Sequence, residues 1–375
     1  MRSDVDILIF VEDPGAANCV MGLPSALENL GICASILATG SAVEYLRRYD
    51  FPFRNLLEDS NLDAILDDAF PKLVLIGTSE NPDTFGLQLI ALSQERGILT
   101  IGIIDGPANS QHRFRGRGSS PLHHAPDLII VPTEALKKAF VELTYPEEKI
   151  FTGGNPHYDT VIEKRRELQK LGRAEIRKKI LPDAPNDRPL IVFAAEVSDG
   201  LDPSQFRRSN DYTLEERGKS DLRTNIVLEE LLDSFKNLTL QPYLALRLHP
   251  KNTAEEFFEH LSGIDHISDS GSPLEVCFIA DLVIGMTSVL LVEAAILGRP
   301  TLSIIPRECE KDWLDSIGLG LTQVATTREE LDQKLDSFTQ DWPDEADNQV
   351  DEVINFGSTE RIAAFLRDKI ADKNL

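Results

Sequence analysis

The sequence predicts an α/β protein of two domains, each built on a parallel sheet. Three observations carry this. Short apolar runs alternate with helical patterns, which implies parallel strands joined by right-handed crossovers. The 375 residues exceed one ordinary core and suffice for two. A long charged helical segment and a proline-rich connection interrupt the pattern near mid-chain.

In the first part, residues 6–11 read as a strand through the apolar run Ile7, Leu8, Ile9, Phe10 and Val11. Residues 18–30 read as a helix stopped by Gly31, 33–38 as a strand and 42–49 as a helix. Residues 62–69 are helical and 73–77 a buried strand. A helix over 83–96 leads to a strand over 99–104. A strand at 128–131 precedes a helix that Thr133 caps and that runs to about 143, and 150–152 form a last strand.

The interrupting helix spans 160–180. It carries Lys164, Arg165, Arg166, Lys170, Arg173, Arg177, Lys178 and Lys179, interspersed with Glu163, Glu167 and Glu175. Such a helix reads as a solvated linker, with a peripheral membrane contact or an anionic acceptor as the alternative. Pro182, Pro185 and Pro189 follow. A second α/β set begins with a strand at 190–195. The polar stretch 198–224 (Arg207, Arg208, Arg217, Lys219, Arg223) is long for a connection, so it reads as a mobile lid or an ordered excursion. Helices are expected at 225–238, 253–261, 273–280, 290–297 and 329–338, and strands at 243–248, 282–284 and 301–305. A loosely structured acidic patch at 341–351 precedes a closing helix at 359–369. The expected division is residues 1–160, a linker at 161–189, a second domain at 190–345, and a C-terminal helix segment at 346–375.

The net charge of −24 disfavours nonspecific nucleic-acid binding, because neutralising phosphates takes an excess of cations; solubility is its plain reading. Cys19, Cys33, Cys277 and Cys309 lack metal spacing and read as reduced, mostly buried thiols of a cytoplasmic protein. The first apolar run ends at Glu12 and Asp13, too soon for a signal peptide, and no stretch approaches the ~18 apolar residues of a membrane span.

The polar residues that could carry chemistry stand where strands end. Thr287 and Ser288 sit between a buried strand and a helix, with Glu293 about a turn later. Helix N-termini favour anions, phosphate above all, and a carboxylate one turn in can hold a ribose. Arg247 and His249 close another strand, where a histidine could face diphosphate oxygens. In the first domain Glu12 and Asp13 follow the first strand, as contacts to an acceptor or as helix caps. Asp105, before Gly106, reads as a general base or a turn residue. His123 and His124 have no third ligand nearby, so no metal is expected. The segment 153–159, with Gly153, Gly154, Asn155, Pro156, His157, Tyr158 and Asp159, reads as a hinge, or as a ligand contact from His157 or Tyr158. Asp269, Ser270 and Ser272 read as a cap for the helix at 273, or as a contact to a nucleotide base.

His249, Pro250 and the run from Ala280 through Thr287, Ser288, Glu293, Gly298, Arg299 and Pro300 resemble the GT-B glycosyltransferase-like superfamily. The stretch 243–305 is similar to nucleotide-binding domains of CDP-glycerol glycerophosphotransferases and UDP-N-acetylglucosamine 2-epimerases. The chain departs from both. Gly285, Met286, Thr287 and Ser288 stand where the former usually carry Asp-Tyr-Ser-Ser, and Glu293 stands where they carry Asp; the Ser-Gly-Gly turn of the latter is absent. Residues 104–114 faintly resemble polysaccharide-biosynthesis proteins. The resemblance implies two Rossmann-like domains facing across a cleft. It implies a nucleotide-sugar donor, UDP- or CDP-linked, as substrate rather than cofactor. Ser288 and its neighbour Thr287 would meet phosphate, Glu293 the ribose and His249, which Arg247 flanks, the diphosphate. Asp105, or Glu12 with Asp13, would activate an acceptor. The expected activity is glycosyl transfer in envelope or capsule polysaccharide assembly. The alternatives are a nucleotide-sugar 2-epimerase or hydrolase, and a non-catalytic nucleotide-sugar binding protein.

Overall fold

The computed structural model describes residues 5–197, 203–215, 217–218, 220–269, 271–340 and 350–372. Expectations for Lys219, Ser270 and most of the acidic patch therefore lie outside the described residues. The chain divides into two compact units, Met1–Thr160 with Asn355–Leu375, and Val161–Ile354.

The first unit runs β1 (Ile7–Val11), α1 (Pro14–Val20), α2 (Leu23–Glu28), β2 (Ala34–Ala38), α3 (Gly40–Arg48), β3 (Arg54–Asn55), α4 (Leu62–Ala69), β4 (Leu73–Gly77), α5 (Phe85–Glu95), β5 (Leu99–Ile103), β6 (Leu128–Val131), α6 (Glu134–Glu142) and β7 (Ile150–Thr152). All seven strands pair in parallel in the order β3-β2-β1-β4-β5-β6-β7. The central strands are buried on both faces. Ile7, Ile9 and Val11 of β1 enter one core with Leu73 and Leu75, while Leu8 and Phe10 enter the other with Val74 and Ile76. That explains their continuous apolar runs.

The helix α7 (Pro156–Leu171) begins in this unit and continues into the second. The second unit runs α8 (Arg173–Ile180), β8 (Leu190–Ala194), α9 (Arg223–Phe235), β9 (Tyr243–Arg247), β10 (His266–Ser268), α10 (Pro273–Ile279), β11 (Leu282–Gly285), α11 (Val289–Ile296), β12 (Thr301–Ile304), α12 (Asp315–Gly318), β13 (Gln323–Ala325), α13 (Arg328–Gln340) and α14 (Val350–Val353). Its six strands are parallel in the order β10-β9-β8-β11-β12-β13. Ile191, Phe193, Leu244, Leu246, Ile284 and Ile304 fill one face with Leu228 and Leu231 of α9. In both sheets the strand order reverses beside the first strand, between β1 and β4 and between β8 and β11. Open parallel sheets bind ligands at such a point.

The last helix, α15 (Ser358–Asp372), packs Ile362, Ala363, Leu366 and Ile370 into the first unit's core. Asp159 accepts hydrogen bonds from the N–H of Gly357 (2.7 Å) and of Thr359 (2.8 Å), and Arg361 donates to the carbonyl of Gly153 at 2.9 Å. The turn expected as a hinge or a ligand contact thus holds the closing helix.

Several elements differ from expectation. The helix over 18–30 is two helices: Asp13 and Pro14 start it earlier, and Pro24, which has no N–H, ends the first run. The helix over 160–180 begins at Pro156 and breaks at Gly172, whose φ of +84° suits glycine. Residues 254–263 form a 3₁₀ rather than an α-helix, interrupted at Phe257. The short strands β3, β10 and β13 carry too few residues to show a period. Cys19 and Cys277 are buried, whereas Cys33 and Cys309 are exposed; all four are free. No helix among the described residues is long and apolar enough to cross a membrane.

The basic helices are tied within the second unit. Arg165 donates to the carbonyl of Ile296 at 3.2 Å. Arg173 and Arg177 both bond the buried carboxylate of Asp281, which also accepts the Leu190 N–H at 2.7 Å. Asp281 thereby joins α8 to the start of β8. Asp281→Ala would strand two arginines and a backbone donor, and should cost about 3 kcal/mol in urea unfolding. Glu44→Ala, which breaks a solvent-exposed pair with Arg47, should leave the midpoint unmoved.

Candidate functional site

Each sheet presents a polar cluster beyond the carboxyl ends of its strands. In the first unit β1 delivers Glu12 and Asp13 to the switch point. Asp13 caps α1, its Oδ1 accepting the Ala16 N–H at 3.0 Å. Glu12 Oε1 accepts from the Asn81 amide at 2.6 Å, while its Oε2 is buried without a hydrogen-bond partner. Asp105, two residues beyond β5, comes to the same place. Its Oδ2 lies 2.2 Å from where a Cβ on Gly15 would stand, so only glycine leaves room for it. The sequence-expected trio Glu12, Asp13 and Asp105 is brought together.

Arg113, to which the sequence reading gives no role, completes the cluster. It is buried and pairs with Asp105 at 3.1 Å, while its other terminal nitrogen bonds the carbonyl of Ala108 at 3.2 Å. Burial opposes its charge, but Asp105, Glu80 and Asp13 outweigh that and raise its pKa. Asn155 donates to the backbone carbonyl of Asp105 at 3.1 Å. Burial, and then the negative charge of Asp105, push the Asp13 carboxyl up to about 7.

In the second unit β8 and β11 meet at the switch point, and α11 starts there with Ser288 as its cap, accepting the Leu290 N–H at 3.3 Å. The neighbouring Thr287 is already engaged by a residue the sequence reading missed. Glu196, two residues beyond β8, accepts the Thr287 N–H at 2.5 Å and its hydroxyl at 3.0 Å. Arg223 binds Glu196 at 2.7 Å on one side and the fully buried Glu310 on the other, its Nε at 2.9 Å. Arg307 donates to the second oxygen of Glu310 at 2.6 Å and lies over the rings of Tyr212 and Trp313, each 5.3 Å from its centre. It also bonds the carbonyls of Ser204 (3.0 Å) and Gln205 (2.9 Å). The described part of the polar stretch is therefore an anchored excursion over this edge. The signal for Glu196 was its place, a carboxylate two residues past the second domain's first strand, as Asp13 is in the first.

Arg247 ends β9 but turns inward, donating to Ser268 Oγ at 3.0 Å and the carbonyl of Gly271 at 3.2 Å. It braces the loop before α10 rather than presenting an open cation. His249 Nδ1 accepts the Lys251 N–H at 3.1 Å, so the ring's proton resides on Nε2. Burial, and then the charge of Lys251, lower its pKa to about 4, so it is a neutral hydrogen-bond donor at pH 7. Glu293 is buried one turn into α11. Burial raises the Cys277 thiol, Glu293 raises it further and Arg247 opposes, which places both charges near that sulfur.

Two outcomes check this geometry. Because Asp13 holds its proton more tightly folded than unfolded, ionising it lowers stability from about pH 4 to about pH 7, and the loss persists above. Asp13→Asn keeps the cap and removes the charge, so its melting temperature should exceed that of wild type at pH 8 and match it at pH 4. Glu310→Ala strands Arg223 and Arg307 and should cost about 3–5 kcal/mol by denaturant titration.

No protein-family model matches this sequence, and no curated protein matches it. Solved structures do. The UDP-GlcNAc 2-epimerase of Neisseria meningitidis bound to UDP-GlcNAc matches at 13% identity and a TM-score of 0.67, over 98% of this chain and 99% of that one. That of Methanocaldococcus jannaschii in complex with UDP-GlcNAc and UDP matches at 16% and 0.68, over 96% and 99%. A variant of the wall teichoic acid polymerase TagF matches at 14% and 0.57, over 99% and 90%. The chain thus has the two-domain α/β architecture of these proteins, a GT-B-like fold.

Proposed function

We propose that this chain is an enzyme acting on a nucleotide-activated sugar, UDP- or CDP-linked, bound at the β8–β11 switch point. The observation that carries the reading is what stands at that edge: the start of α11 at Ser288, the Nε2–H of a neutral His249, and Glu293, buried one turn into α11. The first two suit a diphosphate, because donors fixed in place stabilise charge on a departing phosphate without reorganising. The third suits ribose hydroxyls. The fold likeness to proteins solved with UDP-GlcNAc and UDP supports the ligand class.

The reaction we favour is glycosyl transfer to a hydroxyl acceptor, in polysaccharide assembly. The fold likeness to the wall teichoic acid polymerase TagF supports that choice. A 2-epimerase or hydrolase is the second reading, favoured by the higher TM-scores of the two epimerases, 0.67 and 0.68 against 0.57. Incubation with UDP-GlcNAc and no acceptor divides them: transfer leaves the sugar unchanged, whereas an epimerised sugar or rapid UDP release establishes the second. In either case His249→Ala should lower turnover by about 100-fold. Full activity of that variant would contradict the assigned role.

A further inference from the structure

Resting on that reading, we propose that Glu196 is a specificity-determining residue of the nucleotide site: its fixed negative charge weakens the hold on a freed nucleotide diphosphate more than the hold on the nucleotide sugar. The carboxylate stands on the turn that leads into α11. Its Oε1 accepts the Thr287 N–H at 2.5 Å, and its Oε2 accepts the Thr287 hydroxyl at 3.0 Å. Thr287 directly precedes Ser288, the cap of α11. A backbone donor that this turn would otherwise offer to a phosphate is therefore taken by a carboxylate. Glu196 also acts on His249, the second group proposed to meet the diphosphate. Burial and then Lys251 lower the His249 pKa, and the charges of Glu196 and Glu256 work against them. One carboxylate thus lies against the start of α11 and within electrostatic reach of His249.

The charge is held in place. Arg223 Nη1 binds Oε2 at 2.7 Å, and Thr224 Oγ1 donates to the Glu196 carbonyl at 3.3 Å. Arg223 is itself buried, and Glu310 holds its Nε at 2.9 Å on the other side. The Glu196 side chain is 15% exposed and that of Glu310 is closed to solvent, so Glu196 is the open, negative end of the network. A nucleotide sugar carries its diphosphate esterified at both ends. In transfer or hydrolysis an acceptor or water oxygen bonds the anomeric carbon, and the bond from that carbon to the terminal phosphate oxygen breaks. The electron pair stays on that phosphate oxygen, and the attacking oxygen's proton passes in the end to water. The freed terminal phosphate has a second ionisation near pH ~6, so at pH 7 the nucleotide carries about one more negative charge than its sugar ester did. A fixed carboxylate repels that added charge and leaves the ester less affected. Glu196 therefore sets how tightly the product is held against the donors of α11 and His249, and specificity rests on repulsion as well as on contact.

Calorimetric titration of the full chain at pH 7 tests this with two ligand pairs, UDP with UDP-GlcNAc and CDP with CDP-glycerol. Glu196→Gln removes the charge, while its amide oxygen can still accept the Thr287 N–H. Arg223 keeps Glu310 in that variant, so no buried cation is left unpaired. For the pair that binds, the Kd of the free nucleotide divided by that of its ester should fall about 5-fold in Glu196→Gln. Glu196→Asp, which keeps the charge, should keep the wild-type ratio. Glu310→Gln makes the same change of charge on the far side of Arg223, so it should lower the melting temperature and leave the ratio unmoved. An unchanged ratio in Glu196→Gln, or an equal fall in either of the other two variants, overturns the proposal, while binding by wild type still upholds the functional reading. No binding of either pair by wild type or by any variant overturns the reading and the proposal together.

Discussion

Both sheets are buried on two faces, and the placement of every polar group follows from that. A strand such as β1 or β8 offers no surface on which a charged residue could meet water. Polar chemistry is therefore pushed to the strand ends, and at the carboxyl ends it meets the free N–H groups of the next helix. The reversal of strand order beside β1 and beside β8 opens a gap between two successive helices there. Asp13 and Glu196 stand at corresponding points of the two units because the same topology leads the chain there twice.

What the units do with that position differs, and charge balance decides it. In the second unit a single cation, Arg223, lies between Glu196 and Glu310, and each carboxylate has a further donor in Thr287 or Arg307. Buried ions so matched are rigid, and they fix the turn that starts α11 and the excursion above it. In the first unit Arg113 pairs with Asp105, and among the described residues Asp13 and Glu12 have no ion pair of their own. The under-matched cluster is the one with a carboxyl poised near neutrality. A balanced network serves as a frame, and an unbalanced one can exchange protons.

The architecture was legible because its signals are local and repeated. The apolar runs of β1, β4, β8, β9 and β11 mark doubly buried strands whatever surrounds them, and Asp13, Thr133 and Ser288 mark helix starts by their chemistry. The candidate carboxylates could be found by the same route, since strand ends are visible in sequence. What pairs with them was not visible. Arg113 reaches Asp105 across eight residues of irregular chain, and Glu310 meets Arg223 across 87. No spacing rule covers such contacts. Arg247 shows the converse: its strand-end position suggested an open cation, but only the fold reveals that Ser268 and Gly271 already occupy it. The long basic helix read as a solvated linker for a similar reason, since its bond to Asp281 spans more than a hundred residues.

We propose a division in which the second unit's sheet edge binds the nucleotide and the carboxylates of the first unit do not. Calorimetric titration of the full chain with UDP at pH 7 tests that division directly. Wild type should bind. Glu293→Gln, at the carboxylate proposed to face the ribose, should weaken binding by about 10-fold or more, and Asp13→Asn should bind as wild type does. Absence of binding at millimolar UDP, or equal weakening by both substitutions, would contradict it.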